Sequence, residues 1–221
     1  MTKIQRYEVQ CAICGAVSSP MFLLSTNTFG GEPDLDTRPP EMKRSTLCVD
    51  IQRCDLCGYC APRISKSTGH FSAVVESEEY RKQLNNPDFP ALANYFLCYA
   101  MLATSDKYYV AAAWSSLRAA WVCDDHDCYK ASAICRRQAI EMFIIAEANA
   151  QHSEVPDGTM DVLMIDLFRR TGQFVEAQSW CNEGLKKNLE EYLQNILHFQ
   201  LQLIEKQDVA CHSISDIKNS K

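Results

Sequence analysis

No stretch of this 221-residue chain approaches the run of about eighteen apolar residues that a membrane-spanning helix needs, so no membrane span is expected. The first ten residues, Met1 to Gln10, are polar and mixed in charge, and they do not read as a secretory signal. A basic surplus is missing too. Residues 1–70 carry eight Lys/Arg against seven Asp/Glu, and the remainder carry fourteen against twenty-one. A nucleic-acid binder leaves a basic stripe or patch. The scattered Arg53, Arg63 and Lys66 read instead as solvated surface, so no nucleic-acid partner is expected. Nor is there a catalytic pattern, because no cysteine and histidine stand together in a recognisable nucleophile motif. Asp34 and Asp36 lie in a Gly/Pro-punctuated loop, with neither a histidine nor a third carboxylate nearby to complete a hydrolytic site. They read as turn caps, with a cation or Arg38 as other possible partners. A non-enzymatic protein is the expectation.

What the chain does have is cysteine, twelve in all. Without a leader, that number points to a reducing compartment, expected to be the cytoplasm, with free thiols and a metal. Four of the twelve form two matched knuckles, Cys11-Ala12-Ile13-Cys14-Gly15 and Cys54-Asp55-Leu56-Cys57-Gly58. Two cysteines three apart let one tight turn present both sulfurs to one ion. The glycine after the second cysteine accepts a positive φ and closes the turn. One such pair is shared by redox motifs, but two with matching glycines specify a closed tetrahedral zinc site. Cys11, Cys14, Cys54 and Cys57 are therefore the expected ligands of one structural zinc per chain. Cys48 and Cys60 lie close enough in sequence to be alternative ligands.

The pattern around the knuckles predicts a small β ribbon. Tyr7 and Val9 alternate with polar residues before the first knuckle, and Leu47, Val49 and Ile51 do so before the second. After about residue 75 the character becomes helical. Helices are predicted over 76–84, 91–102, 109–122, 128–150, 160–170, 174–187 and 189–206, with Asp124-Asp125-His126-Asp127 as a turn that also caps the helix after it. The expected organisation is a zinc-ribbon-like domain over 1–72, a helical-hairpin array over 73–210 and a polar, frayed tail over 211–221. The expected fold class is thus mainly α, an antiparallel tetratricopeptide-like array preceded by a small β zinc ribbon.

Met160 to Leu185 resembles a tetratricopeptide repeat. Gly172-Gln173-Phe174-Val175-Glu176-Ala177 matches its turn signature, and Phe168 fills the aromatic position of the first helix. Asp161, Ile165 and Gly184 depart from it, standing where tryptophan, glycine and alanine are usual. Tyr109, Ala112 and Ala119 give a looser copy upstream. Over about residues 5–190 the chain resembles bacterial proteins of unknown function that join a zinc-ribbon-like segment to a tetratricopeptide-like region. The residues carrying this are the first knuckle, the block Gln52-Arg53-Cys54-Asp55-Leu56-Cys57-Gly58-Tyr59, and Leu117-Arg118-Ala119-Ala120-Trp121. The resemblance implies a fold and a bacterial cytoplasmic location, and it implies no activity. Cys60 stands where that family suggests a plain apolar residue.

Two further clusters remain. Cys123, His126 and Cys128 surround an interhelix turn, with Cys135 two helical turns later. They read as small core residues with an exposed histidine, the alternative being a second metal near His126 that serves an enzyme or small-ligand cleft. Tyr95, Tyr99, Trp114 and Arg118 recur at one-turn spacing. They line either the core or a groove that anchors a protein or peptide partner.

Overall fold

The computed structural model describes residues 2–67, 69–156 and 158–219. Short strands come first: β1 (Lys3–Arg6), β2 (Val9–Gln10), β3 (Val17–Ser18) and β4 (Met21–Ser25). A short helix α1 (Glu41–Arg44) and a 3-10 turn (Leu47–Val49) lead to β5 (Gln52–Arg53) and β6 (Cys60–Ala61). Helices follow: α2 (Ser72–Glu76), α3 (Glu78–Leu84), α4 (Ala91–Ser105), α5 (Tyr109–Asp125), α6 (Tyr129–Ala148), α7 (Thr159–Arg170), α8 (Phe174–Leu185), α9 (Glu191–Glu205) and α10 (Ile214–Asn219). The described residues are thus mainly helical with small antiparallel sheets. None of their helices is long and apolar enough to cross a membrane. They divide into two compact units, Met1–Asn27 with Ser45–His152, and Thr28–Arg44 with Ser153–Lys221.

In the first unit the strands pair as three antiparallel ribbons, β1 with β4, β2 with β3 and β5 with β6. Each knuckle sits in the turn of one of the two shortest ribbons. The predicted strand over Leu47–Ile51 is absent. All three apolar residues are buried, but Leu47–Val49 is a 3-10 turn closed by the Val49 N–H on Thr46 O and the Asp50 N–H on Leu47 O. A period of two is not far from the 3-10 period of three over so few residues, and the two cannot be separated there. The predicted boundary at 72/73 falls inside this unit. The reason is a shared core: Cys54, Tyr59, Cys60 and Ile64 pack in one cluster with Val75, Tyr80, Leu84, Cys98 and Leu102.

Three interhelix turns have one geometry. Lys107, Asp127 and Gly172 take positive φ of 56°, 55° and 77° two residues after a helix ends, and the next helix starts two residues later. In each, the N–H of the following residue reaches a carbonyl five back: Tyr108 to Ala103, Cys128 to Cys123, Gln173 to Phe168. These are helix ends closed by a left-handed residue, and glycine marks only one of them. The predicted aspartate cap on α6 is replaced by something else. Cys128 is its N-cap residue and makes no side-chain cap bond. Asp124 instead forms a buried ion pair with Arg136 at 2.7 Å and accepts a hydrogen bond from the Ser132 hydroxyl.

In the second unit α7, α8 and α9 pack on one another. Departures from the repeat signature have local causes. Asp161 pairs with the Lys187 ammonium at 2.8 Å, and a Cβ on Gly184 would stand 3.2 Å from Leu197 Cδ1. The 30–40 loop is not a solvated turn. Asp36 is fully buried, accepts from the Arg38 N–H as a turn cap does, and also pairs with Arg170 at 3.1 Å. Asp34 pairs with Arg44 at 3.1 Å and Arg38 at 3.4 Å. His212 and Ile214, in the predicted polar tail, are tied to that loop by backbone bonds. The Leu35 N–H donates to His212 O, and the Ile214 N–H donates to Pro33 O. Composition alone could not show this, because the bonds use backbone groups that every sequence has.

Candidate metal centre

The two knuckles are built alike. In the first, the Cys11 N–H donates to Ala16 O at 2.8 Å and the Gly15 N–H to Cys11 O at 2.9 Å. In the second, the Cys54 N–H donates to Tyr59 O at 2.8 Å and the Gly58 N–H to Cys54 O at 3.0 Å. Gly15 and Gly58 share a φ of +73°. The ribbon on either side holds each turn, because β2 enters and β3 leaves the first knuckle while β5 enters and β6 leaves the second. Ile64 ties the two together. Its carbonyl accepts the Ala12 N–H at 2.8 Å, and its own N–H donates to Gln52 Oε1 at 3.1 Å.

The result is that the sulfurs of Cys11, Cys14, Cys54 and Cys57 all lie within 4.8 Å of one another, a group that can hold a metal ion. The Cys11–Cys57 separation is 3.7 Å and the Cys14–Cys54 separation 3.6 Å. Both are far beyond the S–S bond length of about 2.05 Å, and all twelve cysteines are free thiols. Cys11 and Cys54 are buried, Cys57 is half-buried and Cys14 is exposed. The electrostatics are uneven. Burial works against the Cys54 thiolate, but the Cys57 and Leu56 amides and the neighbouring thiols outweigh it and bring that thiol down to about 7. Burial pushes Cys11 and Cys57 up. Four thiolates this close repel one another, and a dication at their centre removes the conflict.

Comparison with protein-family models, with curated proteins and with solved structures returned no match. The cluster is therefore read from its own geometry.

Two residues that the sequence reading passed over support the site. The Ser18 hydroxyl accepts the Asp55 N–H at 3.2 Å and lies 3.9 Å from Cys54 Sγ. The Tyr80 hydroxyl, on α3, donates to Gly58 O at 3.0 Å and accepts the Cys60 N–H at 3.0 Å. Tyr80 thereby bolts the second knuckle to a helix. Cys60 lies outside the sulfur cluster with its thiol on Gly58 O, and so does Cys48, whose thiol is 4.0 Å from Ser45 O.

The other expected residues fall in different places. Cys123 and Cys135 are fully buried and Cys128 is half-buried, while His126 is exposed. Among the described residues no other group of three or more metal-ligating side chains comes together, so no second metal cluster forms near His126. Tyr95, Tyr99, Trp114 and Arg118 are all half-buried. Tyr95 and Tyr99 pack against the core that holds the knuckles. Trp114 stacks edge-on against Phe143 at 5.4 Å, and Arg118 stands 3.9 Å from Asp50. A cavity of about 650 Å³ along α3, α4 and α6 is lined by none of these four.

Proposed function

We propose that this chain is a non-enzymatic protein in which Cys11, Cys14, Cys54 and Cys57 hold one structural zinc and the helices of the first unit present a surface to a protein or peptide partner. The observation that carries the zinc reading is the sulfur geometry. A tetrahedral ion with Zn–S of about 2.3 Å places its sulfurs about 3.8 Å apart, close to the 3.6 and 3.7 Å found here. Four protein thiolates fill all four positions and leave none for water or substrate, which is the pattern of a structural site. What zinc supplies when bound is folding energy. Metal analysis of the purified protein is expected to return about one zinc per chain. Full zinc content in a Cys14→Ala, Cys57→Ala double variant would remove the assignment.

The partner surface rests on the repeated turn geometry and on Trp114 and Arg118. Helix pairs linked by like turns build extended surfaces, and tryptophan and arginine supply most anchoring energy where partners meet. Both side chains keep solvent access, and the Arg118 side chain is 37% exposed and stands 3.9 Å from Asp50. Arg118→Ala is expected to weaken partner capture by about 2 kcal/mol, the size of an anchor residue's contribution, while the melting temperature stays nearly fixed. A variant that melts early and loses capture only for that reason returns Arg118 to a structural role.

A further inference from the structure

We propose that a cavity beside the second knuckle is a binding site for a small, flat organic anion bearing one carboxylate or phosphate group. The cavity measures about 360 Å³ and lies between β5 and the α3–α4 corner, where Arg53, Asn85, Asn86, Phe89, Asn94 and Tyr95 line it. At about 30 Å³ for each water-sized group it holds about a dozen non-hydrogen atoms.

The charge of the lining selects the ligand. One arginine and no carboxylate line the cavity, in a chain whose formal charge is −6. Among the described residues no carboxylate pairs with Arg53, and its Nε is shielded from solvent without a hydrogen-bond partner. A guanidinium that is half-buried and lacks an anion is an unmet demand, because a partly desolvated charge gains most from an opposite one. Asn85 spends its amide NH₂ on Arg81 O at 2.9 Å and keeps its Oδ1 as an acceptor, which leaves Arg53 as the one charged donor. Asn86 Oδ1 is occupied by the Asp88 N–H at 3.0 Å, which leaves the amide NH₂ of Asn86 as a donor. Asn94 is spent on both sides, accepting from Gln83 Nε2 and donating to Asn86 O. Among the described residues the Tyr95 hydroxyl has no hydrogen-bond partner, and it can donate to a ligand. Phe89 and Tyr95 give the cavity its apolar wall, and the Arg53 guanidinium lies 5.6 Å from the Tyr95 ring centroid, in cation–π range. That contact, with the pairing of Arg53 opposite Cys60 in the β5–β6 ribbon, fixes the arginine before any ligand arrives.

Two simple probes test the site, benzoate and phenyl phosphate, titrated calorimetrically into the intact chain. Benzamide and phenol serve as neutral controls, and inorganic phosphate and acetate as anions without a ring. Both aromatic anions are expected to bind saturably. The neutral controls and Arg53→Gln should each weaken binding by about ten-fold or more, the usual weight of a charge-assisted hydrogen bond, and the bare anions should bind about ten-fold or more weakly because they lose the ring's buried apolar area. Zinc content is measured on the same Arg53→Gln sample, so loss of the ligand is separable from loss of the knuckle. A second variant avoids the knuckle altogether. Ala91→Glu, at the exposed first residue of α4 and on the cavity lining, puts a carboxylate into the lining that Arg53 shares and should abolish binding of an anion. Equal binding of benzamide and benzoate, unchanged affinity in Ala91→Glu, or no saturable heat from either aromatic anion would overturn the proposal.

Discussion

Removing zinc with a chelator is expected to open α3 and α4 together with the two knuckles, while α7, α8 and α9 keep their protection. The expectation comes from where the site is rooted. Cys11 and Cys54 belong to the same core cluster as Tyr80, Leu84, Cys98 and Leu102, and Tyr80 ties its hydroxyl to both Gly58 and Cys60. Structural zinc in small peptides binds with about 10–16 kcal/mol, and whole domains are stable by about 5–15 kcal/mol. Metal loss at a site sharing the core of its unit thus removes an amount comparable with that unit's entire stability. α7, α8 and α9 pack on one another in the second unit. Hydrogen exchange read per helix, with and without chelator, checks this. If the knuckle amides exchange freely and those of α4 stay protected, the ribbon folds by itself and the shared core does not couple the two.

That coupling is the part of the fold least visible in the chain. The long helices α4 to α9 could be read because each runs twelve or more residues with recurring apolar positions, and Pro90, Thr171-Gly172 and similar breaks fix their ends, whereas the predicted helix over 76–84 is split at Ser77 into α2 and α3. The knuckles could be read because their spacing and glycines are local. Tyr80 could not: its two bonds reach residues 20 and 22 positions away, and a tyrosine on a short charged helix gives no local sign of them. Ser18 is similar, since its link to Asp55 spans 37 positions. The Asp124–Arg136 pair is a different failure. An aspartate in an interhelix turn is a good cap, but a buried arginine twelve residues further on, in the next helix, is a stronger partner for a carboxylate than a backbone amide. The burial of Asp36 has the same character, because Arg170 lies 134 positions away.

Of the two knuckle glycines, Gly58 is expected to tolerate alanine far less than Gly15, although both have a φ of +73°. A left-handed conformation costs a residue with a Cβ about 1–2 kcal/mol, and that is the whole expected loss for Gly15→Ala. The nearest neighbour of its new Cβ would be Gln10 Nε2 at 3.7 Å, ordinary contact distance. At Gly58 the added Cβ would come 2.6 Å from Leu84 Cδ2 and 3.2 Å from Arg81 Nη1. Leu84 is buried, so its methyl cannot swing into solvent and the core must shift. Overpacking of this kind costs about 1–3 kcal/mol. Gly58→Ala should therefore destabilise the zinc-loaded first unit by about 2–5 kcal/mol, summing the two effects. Denaturant melts of the two variants, each at full zinc content, measure the difference. Equal losses would mean that α3 yields to the new methyl group, and that the second knuckle is seated on the helix less tightly than the Tyr80 bonds require.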